Sequence, residues 1–150
     1  MRKSHIRDYA TAAFQYYALT GGLDRFRAKL WAIIEVDFRR RGEESGDISK
    51  PTESALIHFE KELEKKQSEV LDLEAVEKTK QILERMRDGN DIIRVLKSVY
   101  MVEPQRDPER GEISERVHKA EIAIPASEKT IYRWLALARK TFAEARGLRM

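Results

Sequence analysis

From Ser127 to Arg146 the chain reads SEKTIYRWLALARKTFAEAR, a stretch in which cations and hydroxyls are segregated from apolar residues. Lys129, Thr130, Arg133, Leu137 and Lys140 fall on one side of a helix drawn through it. Ile131, Trp134, Leu135, Ala138, Phe142 and Ala145 recur three and four apart on the other side. The apolar stripe is a core face, and Trp134 belongs to it. The opposite side projects cations into solvent, the division a helix needs in order to read nucleic acid. Ser127 is placed to cap the start of this helix, and Gly147 to end it in the left-handed conformation.

Other chemistries find less support. His5, His58 and His118 stand far apart in sequence, no HExxH occurs and there is no cysteine nucleophile. His58 with Glu60, Glu62 and Glu64 could be imagined as a ligand set, but near-consecutive residues of a helix point in different directions. The acidic run Glu43-Glu44-Ser45-Gly46-Asp47 lacks the regular ligand spacing of an EF-hand and reads as a solvated hinge. No glycine loop follows a strand, so no phosphate cradle is expected. The chain is therefore expected to be no enzyme and to hold no cofactor or metal.

Composition agrees with a folded binding protein. At 150 residues and 41% apolar it can bury one substantial core, and its 37% charged residues do not form an apolar-depleted tract. The absence of cysteine excludes a disulfide framework and suits a reducing cytoplasm, and no apolar run approaches the ~20 residues of a membrane span. Net charge is only +3, but it is unevenly spread. Residues 43–91 hold fourteen Asp/Glu against eight Lys/Arg, whereas residues 127–150 hold six Lys/Arg against two Asp/Glu. The surplus of cations sits on the divided helix, which favours nucleic acid as its partner.

The elements that must position this helix are helices too. Ser4 is a cap candidate for a first one, carrying Ile6, Tyr9, Ala10, Ala13, Phe14 and Tyr17, which stops at Gly21-Gly22. Its tyrosines read as core and not as base-stacking groups. A second helix, Leu23 to Arg40, is expected to fold back on the first as a hairpin, and its terminal Arg39-Arg40-Arg41 suits a helix C-terminus without any ligand. After Thr52, another cap candidate, come two charged helices with narrow stripes. One carries Leu56, Ile57, Phe59 and Leu63, the other Val70, Leu71, Leu73, Val76, Ile82, Leu83 and Met86. Such stripes suit an outer layer of antiparallel helices or a coiled-coil seam. Asp91 is then expected to cap a helix from Ile92 to about Val102.

A helix over about Glu112 to Ile124, with Ile113, Val117, Ala120 and Ile124 inward, precedes Pro125, which forces a turn immediately before Ser127. Helix, tight turn and helix, completed by the one at 92–102, make a helix-turn-helix module. The expected fold is all-α: an N-terminal helical scaffold or oligomerisation bundle, residues 1–88, and a C-terminal three-helix DNA-binding module, residues 89–150.

Val117 to Trp134, VHKAEIAIPASEKTIYRW, resembles the helix-turn-helix of sigma-factor region four and of small phage and prophage transcription regulators of the ArpU and RinA type. The similarity extends through Ala138-Arg139 and Phe142-Ala143-Glu144 to Arg146-Gly147-Leu148, about the last third of the chain. Two positions depart from the pattern: Pro125 stands where glycine is usual in the turn, and Glu121 where a small residue is usual in the first helix.

Carried over by position, the resemblance implies that Lys129, Thr130 and Arg133 face base edges, with Glu128 and Leu137 as lesser candidates. Arginine can bridge guanine O6 and N7, and threonine can bond a base edge or meet a thymine methyl. Tyr132, Lys140, His118 and Lys119 would lie nearer phosphate. The implied function is sequence-specific regulation of phage or prophage genes. Double-stranded DNA is the expected partner, RNA polymerase and a second copy of the chain are further candidates, and no membrane is involved. The alternative is a non-catalytic adaptor, binding RNA polymerase or serving phage assembly, whose C-terminal helices dock on protein.

Overall fold

The computed structural model describes the backbone of residues 3–45 and 51–148 and the side chains of 5–42 and 53–148; the Ser4 and Thr52 caps and the acidic side chains at 43–47 lie outside that set. The described residues form seven helices and no strand: α1 Lys3–Thr20, α2 Leu23–Ser45, α3 Pro51–Lys65, α4 Gln67–Glu84, α5 Gly89–Tyr100, α6 Glu112–Ala123 and α7 Glu128–Arg146. The chain is all-helical. No described helix is long and apolar enough to cross a membrane.

The main core draws on both sides of residue 88. Phe14 of α1, Val76 and Leu83 of α4, Leu96 and Val99 of α5, Val117 of α6, and Ile131, Leu135 and Phe142 of α7 are all buried in one cluster. Phe14 lies between Tyr100 and Phe142, with ring centroids 5.9 and 5.6 Å away, so α1 is anchored between α5 and α7.

α4 is central and not an outer layer. Ala75 and Thr79 are buried beside Leu73, Val76 and Leu83, which widens its buried arc far beyond the stripe of large apolar residues. Thr79 can be buried because its hydroxyl donates to the Ala75 carbonyl at 2.7 Å. The outer layer is the pair α2 and α3.

α2 packs mainly along α3 and less on α1, whose buried sides are covered by α4 and α7. Trp31 meets Phe59 edge-on at 5.5 Å and Phe38 meets His58 at 5.6 Å. At the base of this pair Leu23, Val70 and Leu73 form a smaller cluster. There the Glu77 carboxylate accepts the Leu23 backbone N–H at 3.1 Å, placing an anion at the start of α2. α2 runs past Arg40 to Ser45, and Arg41 and Arg40 pair with Asp37 one turn earlier at 3.0 and 3.6 Å.

α5 starts earlier than Asp91 would have it. Asp88 is the capping residue, without a side-chain cap bond, and Asp91 sits in the first turn 3.6 Å from Arg94. The cause is Gly89: a Cβ there would lie 2.5 Å from the Leu83 carbonyl oxygen, so only glycine lets α5 begin this close to the end of α4. α5 ends at Tyr100, and Val102 is exposed.

Residues 101–111 are held by side chains from two directions. Gln15 Nε2 donates to the carbonyls of Arg106 at 2.6 Å and Pro104 at 3.2 Å. Arg106 pairs with Glu103 and Glu112, and Glu112 also meets the buried Arg116, whose Nη1 donates to the Val99 carbonyl at 2.8 Å.

Candidate nucleic-acid interface

α6 ends where its chain turns extended. Ile124 has φ −122° and ψ 135°, its side chain is buried, and its N–H still reaches the Ala120 carbonyl at 2.8 Å. Around the exposed Pro125 the Ala126 N–H bonds the Ile124 carbonyl at 2.7 Å. Ser127 is extended, and its Oγ accepts the Thr130 N–H at 3.2 Å while donating to Thr130 Oγ1 at 3.0 Å. At the far end Gly147 is left-handed, and the N–H groups of Gly147 and Leu148 return to Glu144 and Ala143 at 3.2 and 2.8 Å. Both ends of α7 are therefore fixed, and Ile131, Trp134, Leu135, Ala138 and Phe142 bury the side between them.

The structure divides the expected binding residues into groups. Lys129, Arg133 and Lys140 are exposed on the outward side of α7, and Lys119 is exposed on α6. Among the described residues none of these four makes an ion pair or side-chain hydrogen bond. Several other cations are committed, Arg39 to Glu35, Arg41 to Asp37, Arg94 to Asp91, Arg116 to Glu112 and Arg146 to Asp72, while Arg27, Lys61, Arg87 and Arg110 are exposed and, like the four above, make no such contact among the described residues. Unpaired cations on an ordered helix keep their charge available to an anionic partner.

The remaining candidates lie around that group. Thr130 is half-buried with its hydroxyl engaged by Ser127, so it serves the cap first. Leu137 packs against the core and lines a groove with Ile82 of α4 and Met86 of the turn that follows it. Tyr132, 39% exposed, borders a cleft between α7 and α1. Glu128, in the first turn of α7, comes close to His118 and Glu121 of α6.

Two features escape a reading of periodicity. Arg139 is half-buried at the floor of the Tyr132 cleft, its Nη1 donating to the Tyr100 hydroxyl at 2.6 Å. His118, Glu121 and Glu128 bring one imidazole and two carboxylates within 4.8 Å of one another. The His118–Glu121 spacing of three was available in the sequence, but Glu128 joins them only through the turn at 124–127.

Compared with known proteins, the chain matches no protein-family model, no curated protein and no solved structure.

Proposed function

We propose that the chain is a sequence-specific regulator that binds double-stranded DNA through α5, α6 and α7 acting as a helix-turn-helix unit. By its resemblance to the ArpU and RinA type, its targets are phage or prophage genes. The observation that carries this reading is the unpaired, exposed set Lys129, Arg133 and Lys140 on a helix whose opposite side is buried and whose ends are capped. A rigid cationic helix loses little entropy on entering the major groove, and its charges gain from releasing phosphate counterions. Arg133 is the residue assigned to a base edge; Lys140, Lys119 and Tyr132 are assigned to the backbone. We assign the chain no catalytic step.

Selection of duplexes bound from a random DNA pool by the full chain, followed across a salt series, tests this. An enriched motif that Arg133→Ala abolishes is the expected result. Absence of retention at low salt would sink the DNA reading.

The adaptor reading has one observation in its favour. Ile82 and Met86, each 37% exposed, line a groove with Leu137 between α4 and α7. A partner seated on such apolar groups would resist salt far better than a phosphate contact.

A further inference from the structure

We propose that His118, Glu121 and Glu128 form a binding site for a divalent transition-metal cation of the zinc class, tying α6 to the start of α7. They are the one group of three potential ligand residues that converges among the described residues. His118 Nδ1 stands 3.9 Å from Glu121 Oε2, beyond hydrogen-bond distance, and Glu128 makes no side-chain hydrogen bond or ion pair among the described residues. Ser127 already supplies the side-chain cap of α7, so the Glu128 carboxylate, in the first turn, is not needed for that hydrogen bond.

The donor set selects the cation. One imidazole nitrogen and two carboxylate oxygens make a three-ligand site whose fourth position is left to water. Calcium and magnesium favour all-oxygen shells, whereas an imidazole suits zinc, cobalt, nickel and copper. Bonds of roughly 2.0–2.2 Å in a tetrahedral arrangement require ligand atoms about 3.3–3.6 Å apart. Separations of up to 4.8 Å would have to shorten on binding, and all three side chains reach solvent, where rotamer changes meet little obstruction. Bound metal would also neutralise two carboxylates that otherwise repel each other.

Among the described residues no other group is its equal. His58 has one carboxylate partner, Glu62 at 3.9 Å on the same helix. The ligands at 118, 121 and 128 instead come from two helices, so the metal would brace the turn at 124–127.

The test is calorimetric titration of zinc chloride into the full chain, with thermal melts in zinc and in chelator. The wild type is expected to take up one zinc per chain and to melt at higher temperature with zinc than with chelator. His118→Ala and Glu128→Gln should each weaken zinc binding by at least about tenfold and remove that shift, and His58→Ala should change neither. His118 and Glu128 reach the surface, and the melts of their variants in chelator should match the wild type, whereas His58→Ala, which loses its contact with Phe38, is read as the difference between its own melts with and without zinc. Unchanged zinc affinity in His118→Ala, or no uptake by the wild type at millimolar zinc, would overturn the site. No DNA enters this measurement, so its outcome is independent of the DNA-binding proposal.

Discussion

The carboxylate of Asp72, in α4, accepts the Nε–H of Arg146, in the last turn of α7, at 2.7 Å, and the Tyr9 hydroxyl of α1 donates to the same oxygen at 2.7 Å. Three helices distant in sequence thus meet at one partly buried anion, with 19% of each ion-pair side chain exposed. The Asp72 hydrogen bond holds the Arg146 guanidinium above its usual range, and burial followed by the Asp72 bond raises the Tyr9 hydroxyl. Asp72→Ala leaves two donors without their acceptor and should destabilise the fold by ~1–3 kcal/mol in urea unfolding, the range for charge-assisted hydrogen bonds. An unchanged midpoint would show that water replaces the carboxylate without cost.

Arg133→Ala should leave the melting temperature unaltered, because the side chain is exposed and unpaired among the described residues. It should weaken binding to a selected operator by ~1–3 kcal/mol and relax preference at one base position. Lys140→Ala should instead weaken all duplexes evenly and lower the salt slope by about one. Equal effects on cognate and random DNA for Arg133→Ala would remove it from base reading.

Trp134 is 8% exposed within the main core. Trp134→Ala should cost ~3–5 kcal/mol of stability as a core deletion. A melt identical to wild type would mean the indole contributes no packing.

Gly89→Ala should destabilise by ~1–3 kcal/mol, the range for forcing atoms into a packed site, because the new methyl would lie 2.5 Å from the Leu83 carbonyl oxygen and 2.6 Å from that of Glu84. Those are backbone atoms and cannot rotate away. Differential scanning calorimetry of the two proteins decides it.

Acid should loosen the loop at 101–111. The Arg106 hydrogen bond holds the Glu112 carboxyl down at about 2, against an ordinary 4.5. A carboxyl depressed in the folded state stabilises it above the unfolded value and loses that contribution as pH falls through the folded one. The stabilisation from Glu112 should therefore be complete above about pH 4.5 and vanish towards about pH 2. Glu112→Gln should flatten the wild-type loss of stability across that window. Parallel curves for the two proteins would show that Arg106 does not act through Glu112.

Periodicity was a sound guide wherever one element had one face to bury. The α7 stripe from Ile131 to Phe142, the Ser127 cap and the left-handed Gly147 all stand where spacing puts them. It misled at α4, where Val70, Leu73, Val76 and Leu83 look like a thin outer stripe. Ala75 and Thr79, which carry little apolar signal, complete a second buried side. It also misled at α2, whose aromatic residues could pack on either neighbour; α3 receives them, and α4 and α7 cover the buried sides of α1.

What the sequence determined by itself is therefore local: the all-helical class, the ends of α7, and the separation of Lys129, Arg133 and Lys140 from the apolar side. These follow from backbone geometry, which places residues three and four apart on one face whatever surrounds them. The tertiary structure alone decided which charges are spent. Arg146 and Asp72, or Glu128 and the pair His118 and Glu121, become neighbours only when helices pack or a turn closes. Charge availability is thus a property of distances between elements. Spacing along the chain names the cations, and packing leaves Lys129, Arg133 and Lys140 unpaired among the described residues.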